Sequence, residues 1–592
     1  MKKHLLKTML AITGLLASAN VVAAGYDFYV DGIYYNVTSK ENRTVEVTSC
    51  YGDVPVFGGP SCYSGDLTFP DSVTYNDTTY TVKAIGQFAL YASTEVSSVY
   101  IPATIDTIKD CGLYCRDAVI PKVEIEYSEN KLICGGHSLC EIDSAFINRE
   151  LEFYNPNNWS YRITPATNHV EFGDSVSVIP ALFACNNHRL KSVKFPNRPF
   201  TFDVFNNKYE GYHQSYGIFQ GCTSLEKVDL SNLVPARSYY EWVDYDNGGG
   251  YYNELTKLTN AYFIPPMTFK GCTALKEVIL PDTVAYLNGV NVVRGVKNHF
   301  VGSSAFEGCT ALESFKFPGV TFDKSSKTRI GHRIGVRAFA GSGLKSLELP
   351  SFISCLDSKA FANCASLECV SLPSILDWYK LSNENRGDYE SYPNQNSNGV
   401  YYYYLSKNLF ANCTALNTVD FGCIKVVIPN TFAGCNIENI NLGGVTYLGE
   451  GNFASPNLKS ISIAEDNLTY KFEENILKTY DGKQWLLTTG KNYTGATVLK
   501  NDTVEVIGSQ LFDGLPIESY DLPMLKNVGS RAFANTKLKS VAIKDSTLYI
   551  DENYGDTIIA PINYGEEAFA DCKLLEEYTI APDIVKLPLG LF

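Results

Sequence analysis

One short phrase recurs along most of this chain and restricts its fold more than any other feature. Residues 269–281 read FKGCTALKEVILP, and residues 306–318 read FEGCTALESFKFP. Looser copies begin at Phe183, Phe219, Phe339, Phe361, Phe410, Phe432, Phe453, Phe512, Phe533 and Phe569. Where copies follow closely, one Phe lies 21 or 22 residues after the last. A fixed period of this size predicts a solenoid, in which each repeat is one supersecondary unit.

A single copy contains the pattern of a turn followed by a strand. In FEGCTALESFKFP, Phe306, Cys309 and Leu312 recur at three-residue steps, which predicts a tight helical or 3₁₀ turn. Apolar and polar residues then alternate over 314–317, the period of a half-buried strand, and a proline follows. Such a unit has an apolar face that only a neighbouring repeat can cover, so we expect the strands to stack in parallel.

The chain has 17 cysteines, and seven of them lie three residues after a repeat Phe. These are Cys222, Cys272, Cys309, Cys364, Cys413, Cys435 and Cys572. Stacked repeats place equivalent residues about 4.8 Å apart and pointing the same way, whereas a disulfide needs Cβ atoms that face each other at about 3.8 Å. The spacing therefore predicts a buried column of small, mostly free thiols. Since 17 is odd, at least one cysteine has no partner within the chain.

Length and composition are compatible with an elongated repeat protein. A single core stops growing near about 250–300 residues, whereas a solenoid grows in one dimension, which suits a chain of 592 residues. The chain is 45% hydrophobic and 19% charged, as expected of a folded protein. Its net charge of −15 argues against nucleic acid or an anionic membrane as a partner.

Residues 1–24 have the composition of a secretory signal peptide. Lys2, Lys3 and Lys7 precede a short apolar run, and small residues precede a possible cleavage site before Gly25. The apolar run is shorter than the ~18–20 residues that span a bilayer, and the mature chain contains no spanning segment. We therefore expect an extracytoplasmic protein, secreted or at the cell surface.

The best candidates for chemistry are Cys111, Cys115, Cys134, His137 and Cys140. A structural zinc site needs four ligands, usually in paired CxxC-like spacing, and a Cys-His nucleophile pair needs the two side chains adjacent. Local disulfides or irregular early repeats explain this cluster more simply. Gly-rich phosphate loops, HExxH and GxSxG are absent from the sequence. We predict that the protein is not an enzyme and carries no cofactor or metal.

The repeat resembles the BspA-like, or treponemal-type, leucine-rich repeat family, whose signature is IGxxAFxxCxxLxxVxLP. The likeness is visible in VGSSAFEGCTALESFKFP at 301–318, IGVRAFAGSGLKSLELP at 334–350 and VGSRAFANTKLKSVAI at 528–543. It implies a leucine-rich-repeat solenoid of short parallel strands and helical or 3₁₀ turns over 84–592, with a β-rich N-terminal cap. The family also implies an exported or surface-displayed bacterial protein, with several members linked to adhesion.

Alternating stretches outside the repeats predict hairpins and domain boundaries. Asp31-Gly32 and Asn76-Asp77 lie between apolar runs, so we expect the cap over 25–83 to be β-rich. A hairpin insertion is expected over 465–500, turning at Asp481-Gly482. The chain ends inside an apolar stretch at Phe592, and since terminal repeats usually carry a polar cap, we expect a truncated C-terminus.

Two insertions, 235–262 and 374–404, are rich in aromatic residues. Tyrosine and tryptophan give large, rigid contact areas and dominate binding hot spots. The candidate ligand-binding residues are Tyr239, Tyr240, Trp242, Tyr245, Tyr251, Tyr252, Trp378, Tyr379, Tyr401, Tyr402, Tyr403 and Tyr404. They could instead pack against the insertion itself, or stack on sugars. The sequence favours an adhesin-like protein that binds host matrix or cell-surface proteins, with a carbohydrate-binding surface protein as the alternative.

Overall fold

The computed structural model describes residues 25–52, 60–153, 167–203, 217–238, 240–244, 250–254, 260–285, 297–321, 332–350, 352–372, 404–422, 424–544, 546–550, 557–582, 584 and 586–592. Contacts divide the chain into two compact units. The first contains the described residues up to Asp203 together with Cys222–Leu225. The second contains the described residues of His213–Gly221 and Glu226–Phe592.

The strands of the first unit are β1 (Phe28–Val30), β2 (Ile33–Ser39), β3 (Thr44–Thr48), β4 (Ser64–Thr68), β5 (Ser72–Tyr75), β6 (Thr78–Ile85), β7 (Glu95–Ile101), β8 (Thr107–Ile108), β9 (Ile120–Ile125), β10 (Leu132–Cys134), β11 (Ile142–Ile147), β12 (Leu151–Phe153), β13 (His169–Phe172), β14 (Val178–Ile179), β15 (Ser192–Lys194) and β16 (Thr201–Phe202).

Two large sheets and a two-stranded parallel sheet of β14 and β16 lie in the described part of the first unit, and most of their strand pairs are parallel. One sheet begins with the antiparallel strands β1, β2 and β3 and continues in parallel through β6, β8, β10 and β12, with β5 antiparallel to β6. The other is wholly parallel, in the order β4-β7-β9-β11-β13-β15. The turns predicted at Asp31-Gly32 and Asn76-Asp77 are confirmed by the β1–β2 and β5–β6 pairings. A disulfide joins Cys50 to Cys62.

The strands of the second unit are β17 (Lys227–Asp229), β18 (Ala236–Ser238), β19 (Tyr240–Asp244), β20 (Gly250–Glu254), β21 (Asn260–Ile264), β22 (Glu277–Ile279), β23 (Thr283–Ala285), β24 (Lys297–Val301), β25 (Gly319–Thr321), β26 (His332–Ile334), β27 (Ser346–Glu348), β28 (Ile353–Leu356), β29 (Cys369–Ser371), β30 (Tyr404–Leu405), β31 (Thr418–Asp420), β32 (Val426–Val427), β33 (Asn439–Asn441), β34 (Tyr447–Leu448), β35 (Ser460–Ser462), β36 (Tyr470–Glu473), β37 (Ile476–Thr479), β38 (Gln484–Thr488), β39 (Val498–Lys500), β40 (Val506–Ile507), β41 (Ser519–Asp521), β42 (Asn527–Val528), β43 (Ser540–Ile543), β44 (Ser546–Ile550), β45 (Thr557–Pro561), β46 (Asn563–Tyr564) and β47 (Glu577–Ile580), with 3₁₀ turns at Ser455–Asn457 and Gly490–Asn492.

Short parallel strands also dominate the second unit. One sheet stacks β27, β29, β31, β33 and β35 in parallel, and another runs β21-β24-β26-β28 in parallel with β18 antiparallel at its edge. Strands β36, β37 and β38 form an antiparallel meander whose last strand pairs in parallel with β40. The hairpin predicted to turn at Asp481-Gly482 is confirmed, because these residues connect the paired strands β37 and β38.

Most repeat turns contain two left-handed residues and are hydrogen-bonded to the next coil. Ser304 and Gly308, two residues before and after Phe306, have φ values of 55° and 75°. The N–H groups of Ser304, Phe306 and Gly308 donate to carbonyl groups of the following coil at 2.8, 2.7 and 2.8 Å. Other coils place Asn363 or Asp571 at the second left-handed position. Glycine, asparagine and aspartate tolerate this conformation best, which explains why the residue two positions after the repeat Phe is one of these in the motifs FxGC, FxNC and FxDC.

The repeat phenylalanines of the second unit form two columns of stacked rings. From Phe219 to Phe453, eight rings follow one another with centroid separations between 5.2 and 5.6 Å. Phe512, Phe533 and Phe569 form a second column, with centroid separations of 5.4 and 5.6 Å. Most of these side chains are fully buried, so each ring covers the apolar face of its neighbour, as the repeat pattern predicts.

The strand predicted in 314–317 is wrong. No strand is assigned there; the next one, β25, begins at Gly319. Phe315 and Phe317 do alternate with exposed neighbours, but they are only half-buried, and Phe315 packs edge-on against Phe306 and Phe339. The alternation of polar and apolar residues therefore predicted the directions of the side chains correctly. It did not predict whether the backbone pairs with a neighbouring strand. The tight turns also differ from the expected helical form, because left-handed residues interrupt them.

Candidate binding surfaces and buried thiols

The seven cysteines that lie three residues after a repeat Phe each make a hydrogen bond to the preceding coil. In six of the seven, the sulfur lies 3.0–3.2 Å from the carbonyl oxygen of the preceding repeat Phe, as Cys309 does at 3.1 Å from Phe269; Cys222 lies 3.1 Å from the carbonyl of Ala184. None of the seven forms a disulfide, which confirms the prediction of a thiol column. Cys435 and Cys572 are only half-buried, against expectation. Each thiol donates to a carbonyl that is directed into the core.

The cysteines between 111 and 140 belong to the scaffold. Cys111, Cys115, Cys134 and Cys140 form no disulfide, so the local disulfides considered for them are wrong. In the first unit, leucines take the place of the repeat Phe, and Leu90 and Leu113 make the same backbone hydrogen bond to the next coil. Each leucine lies two residues after a left-handed residue: Leu90 after Phe88, Leu113 after Cys111 and Leu139 after His137. The cysteine cluster is therefore explained by irregular early repeats, as also proposed from the sequence. A search for the repeat Phe missed these coils, although residues 85–93, with the sequence IGQFALYAS, form the same turn.

Burial favours the protonated form of three of these thiols, those of Cys111, Cys115 and Cys134. Burial raises the pKa of both Cys115 and Cys134 to about 12, and that of Cys111 to about 11, with a smaller contribution from the Asp110 carboxylate at Cys111. Thiolate is the nucleophilic and metal-binding form, so these cysteines are poorly suited to either chemistry. Among the residues that the structure describes, no group of three or more His, Cys, Asp or Glu side chains is arranged to hold a metal ion.

We expect the first unit to lose stability as the pH rises from about 9 toward 12. Unfolding exposes Cys115 and Cys134, whose pKa then falls from about 12 to the ordinary 9.0, so the unfolded chain binds fewer protons in this range. Buried Tyr35 and Tyr63, whose pKa values burial also raises, act in the same direction. Urea midpoints measured under reducing conditions across this range should fall with pH, and the fall should be smaller in Cys115→Ala/Cys134→Ala. A midpoint independent of pH would contradict the expectation.

The insertion at 235–262 folds as a nested hairpin. Strand β18 pairs with β21, and between them β19 pairs with β20, both pairs antiparallel; we call residues 236–264 the arm. In this register Trp242 lies opposite Tyr252, Tyr240 opposite Glu254, and Tyr251 opposite Val243. Tyr404 begins β30, which pairs in parallel with β32. The other candidate aromatic residues, namely Tyr239, Tyr245, Trp378, Tyr379, Tyr401, Tyr402 and Tyr403, lie outside the described residues.

The six-stranded parallel sheet of the first unit presents a second surface, which sequence reasoning missed. Its register places four half-buried side chains in one row across neighbouring strands β7, β9, β11 and β13: Tyr100, Glu124, Phe146 and Glu171. A parallel row holds Ser98, Lys122, Ser144, His169 and Ser192. The signal in the sequence was alternation over VSSVYI, KVEI and SAFI, whose outward positions carry aromatic and charged residues.

The comparable face in the second unit is chemically plainer. Across strands β27, β29, β31, β33 and β35 the register aligns Glu348, Ser371, Asp420, Asn441 and Ser462. These side chains are small or acidic, and none is aromatic. The aromatic residues in the row of the first unit therefore have no counterpart in this row of the second unit, and they are not a requirement of the repeat.

Comparison with known proteins identifies the scaffold. The family model of the BspA type Leucine rich repeat region matches in six copies over residues 215–291, 251–326, 299–382, 398–481 and 496–592. No curated protein matches the sequence. No helix in the described part of the chain is both long and apolar enough to cross a membrane.

Three solved structures are similar to this chain at low sequence identity. A leucine-rich repeat protein from Bacteroides ovatus is 19% identical and covers 72% of this chain and 100% of its own, with a TM-score of 0.33. The pneumococcal vaccine antigen PcpA is 13% identical, with coverages of 96% and 84% and a TM-score of 0.26. A leucine rich cell surface protein from Faecalibacterium prausnitzii is 13% identical, with coverages of 94% and 95% and a TM-score of 0.21. Since the family model spans more than half of the 592 residues, the chain belongs to the BspA-type leucine-rich repeat family.

Proposed function

We propose that this chain is an exported, non-enzymatic surface protein that binds host matrix or cell-surface proteins in the manner of an adhesin. The nested hairpin of the arm carries the proposal. It interrupts the repeat period between two regular coils, and its β19–β20 register sets Trp242 opposite Tyr252. Repeat proteins commonly place ligand contacts on insertions of this kind, because the scaffold tolerates them and holds their ends fixed.

The proposal includes the expected domain arrangement. A signal peptide over 1–24 would direct export, a β-rich cap would occupy 25–83, and the repeats over 84–592 would carry the insertions at 235–262 and 374–404 and the hairpin insertion at 465–500. The acidic composition, with a net charge of −15, favours protein partners over nucleic acid. Stacking of sugars on the same aromatic residues is the competing chemistry, and binding to a glycan array distinguishes it from protein binding.

We expect the arm to account for most of the binding to a protein partner. The experiment compares residues 25–592 with the Trp242→Ala/Tyr252→Ala variant on immobilised extracellular-matrix proteins and on a glycan array. Removal of two aromatic hot-spot side chains should weaken binding by about 30-fold or more, since a single such residue contributes about 2 kcal/mol or more. Tyr480→Ala is the matched control, because Tyr480 is an exposed aromatic residue at another hairpin turn.

Two further outcomes decide between the alternatives. Deleting 376–404 tests the second aromatic insertion in the same assays. Binding to matrix proteins that survives both the arm variant and this deletion would contradict the proposal. Binding to glycans alone, lost in the arm variant, would replace the adhesin-like function with a carbohydrate-binding one.

A further inference from the structure

We propose that the exposed face of the six-stranded sheet in the first unit binds an extended segment of a partner protein that carries a lysine or arginine at every third residue. The proposal concerns Tyr100, Glu124, Phe146 and Glu171, which belong to other strands than the arm. It goes beyond the proposed function, and either one can fail without the other.

The spacing of the row selects the conformation of the ligand. Neighbouring parallel strands lie about 4.8 Å apart, so Glu124 on β9 and Glu171 on β13 are about 9.6 Å apart, with Phe146 on β11 between them. A polyproline II segment rises about 3.1 Å per residue and has three residues per turn, so every third side chain recurs at about 9.3 Å. A ligand in a β conformation would repeat same-side residues at about 6.8 Å. The row therefore matches a polyproline II segment crossing the strands.

The chemistry of the row selects a cationic side chain. A carboxylate next to an aromatic ring offers an ion pair and a cation–π contact to the same lysine or arginine. The row alternates aromatic and acidic residues in the order Tyr100, Glu124, Phe146, Glu171. Two consecutive basic side chains of the ligand would each meet one such pair.

The lysines already on this face do not block the site. Lys122 Nζ lies 3.1 Å from Glu124 Oε2, and Lys194 Nζ lies 2.6 Å from Glu171 Oε1, but both lysine side chains are more than half exposed. Exposed ion pairs contribute little to stability, so a ligand can replace them at small cost. Asp66 and Glu126 add carboxylates along the same face. The acidic groups therefore outnumber the lysines, which favours a basic partner.

The second unit offers a natural comparison for the same spacing. Glu348 and Asp420 are also two strands apart in one row, with Ser371 between them in place of an aromatic residue. If two acidic residues at this spacing were sufficient for binding, the sheet faces of both units would bind the same ligand. The proposal requires the aromatic residue and therefore assigns binding to the first unit.

The test uses residues 25–592 and a labelled peptide of four Pro-Pro-Arg triplets, followed by fluorescence anisotropy. We expect Glu124→Gln/Glu171→Gln and, separately, Phe146→Ser to weaken binding by about tenfold, the effect of losing roughly 1.4 kcal/mol across two contacts. Glu348→Gln/Asp420→Asn should leave the affinity unchanged. Circular dichroism of each variant verifies that the fold is retained.

Three results would overturn the inference: no binding of the peptide, equal binding of a peptide of the same composition with its arginines adjacent, or an equal effect of the variants on the two faces. The arm variant should leave peptide binding intact. Loss of matrix binding in the arm variant with the peptide still bound supports both proposals, whereas failure of the peptide with arm-dependent matrix binding preserved overturns this one alone.

Discussion

Replacement of Phe306 by alanine is expected to destabilise the second unit by about 3–5 kcal/mol, the usual cost of truncating a buried phenylalanine. Phe306 is fully buried, and its ring centroid lies 5.4 Å from that of Phe269 and 5.2 Å from that of Phe339. The substitution therefore opens a cavity at the contact between two pairs of coils. In a stack whose stability is a sum of neighbour interfaces, weakening two adjacent interfaces also lowers cooperativity.

Urea unfolding followed by circular dichroism measures this effect as a lower midpoint, with a broadened or split transition. Leu468→Ala is the control, because the Leu468 side chain is 82% exposed and its truncation should move the midpoint little. Equal midpoints for the Phe306 variant and the wild-type chain would show that the column of rings is not the main source of inter-coil stability.

Alanine at Gly335 is expected to destabilise the same stack by about 1–3 kcal/mol, the usual cost of inserting a methyl group where there is no room. A Cβ atom there would lie 2.6 Å from the amide nitrogen of Ser303 and 2.9 Å from the carbonyl carbon of Gly302. Both are backbone atoms of the preceding coil, so a side-chain rotation cannot relieve the contact. The coils would have to separate, which weakens the 2.8 Å hydrogen bond from Gly335 N–H to the Val301 carbonyl.

Gly319→Ala provides a matched control. Like Gly335, Gly319 does not have the positive φ that favours glycine, but a Cβ there would come no closer than 3.4 Å to its neighbours. The urea midpoint should fall for the Gly335 variant and stay close to wild type for the Gly319 variant. Similar losses in both would mean that the flexibility of glycine, and not coil spacing, determines the result.

The repeat made much of the architecture predictable from the sequence. A Phe, a small residue and a Leu at fixed offsets predicted stacked turns, free thiols and short parallel strands, because every coil must cover its neighbour. The same logic failed where another residue satisfies the same geometry. Leu113 replaces the repeat Phe, so the early coils escaped a search for phenylalanine. Polarity alone also could not show that 314–317 lack a paired strand, since pairing depends on the neighbouring coil.

Candidate sites were harder to predict than the scaffold. The insertion at 235–262 could be recognised from its aromatic content, but the nested pairing of β18 with β21 around β19 and β20 depends on long-range register. The row formed by Tyr100, Glu124 and Phe146 can be recognised only when the register between three separate coils is known. Single-sequence patterns give the outward direction of each residue in a strand, but they do not give the residue beside it.

The bonds around the repeat Phe have a consequence for how this family can diversify. Phe361 and Phe410 are 49 residues apart, yet their coils are joined like coils 22 residues apart, with Phe361 N–H 3.0 Å from the Leu409 carbonyl and Asn363 N–H 2.7 Å from the Ala411 carbonyl. These contacts involve only the few residues next to each Phe. Evolution can therefore lengthen, shorten or exchange the intervening segment without altering the coil junction, so new recognition surfaces can arise on an unchanged framework.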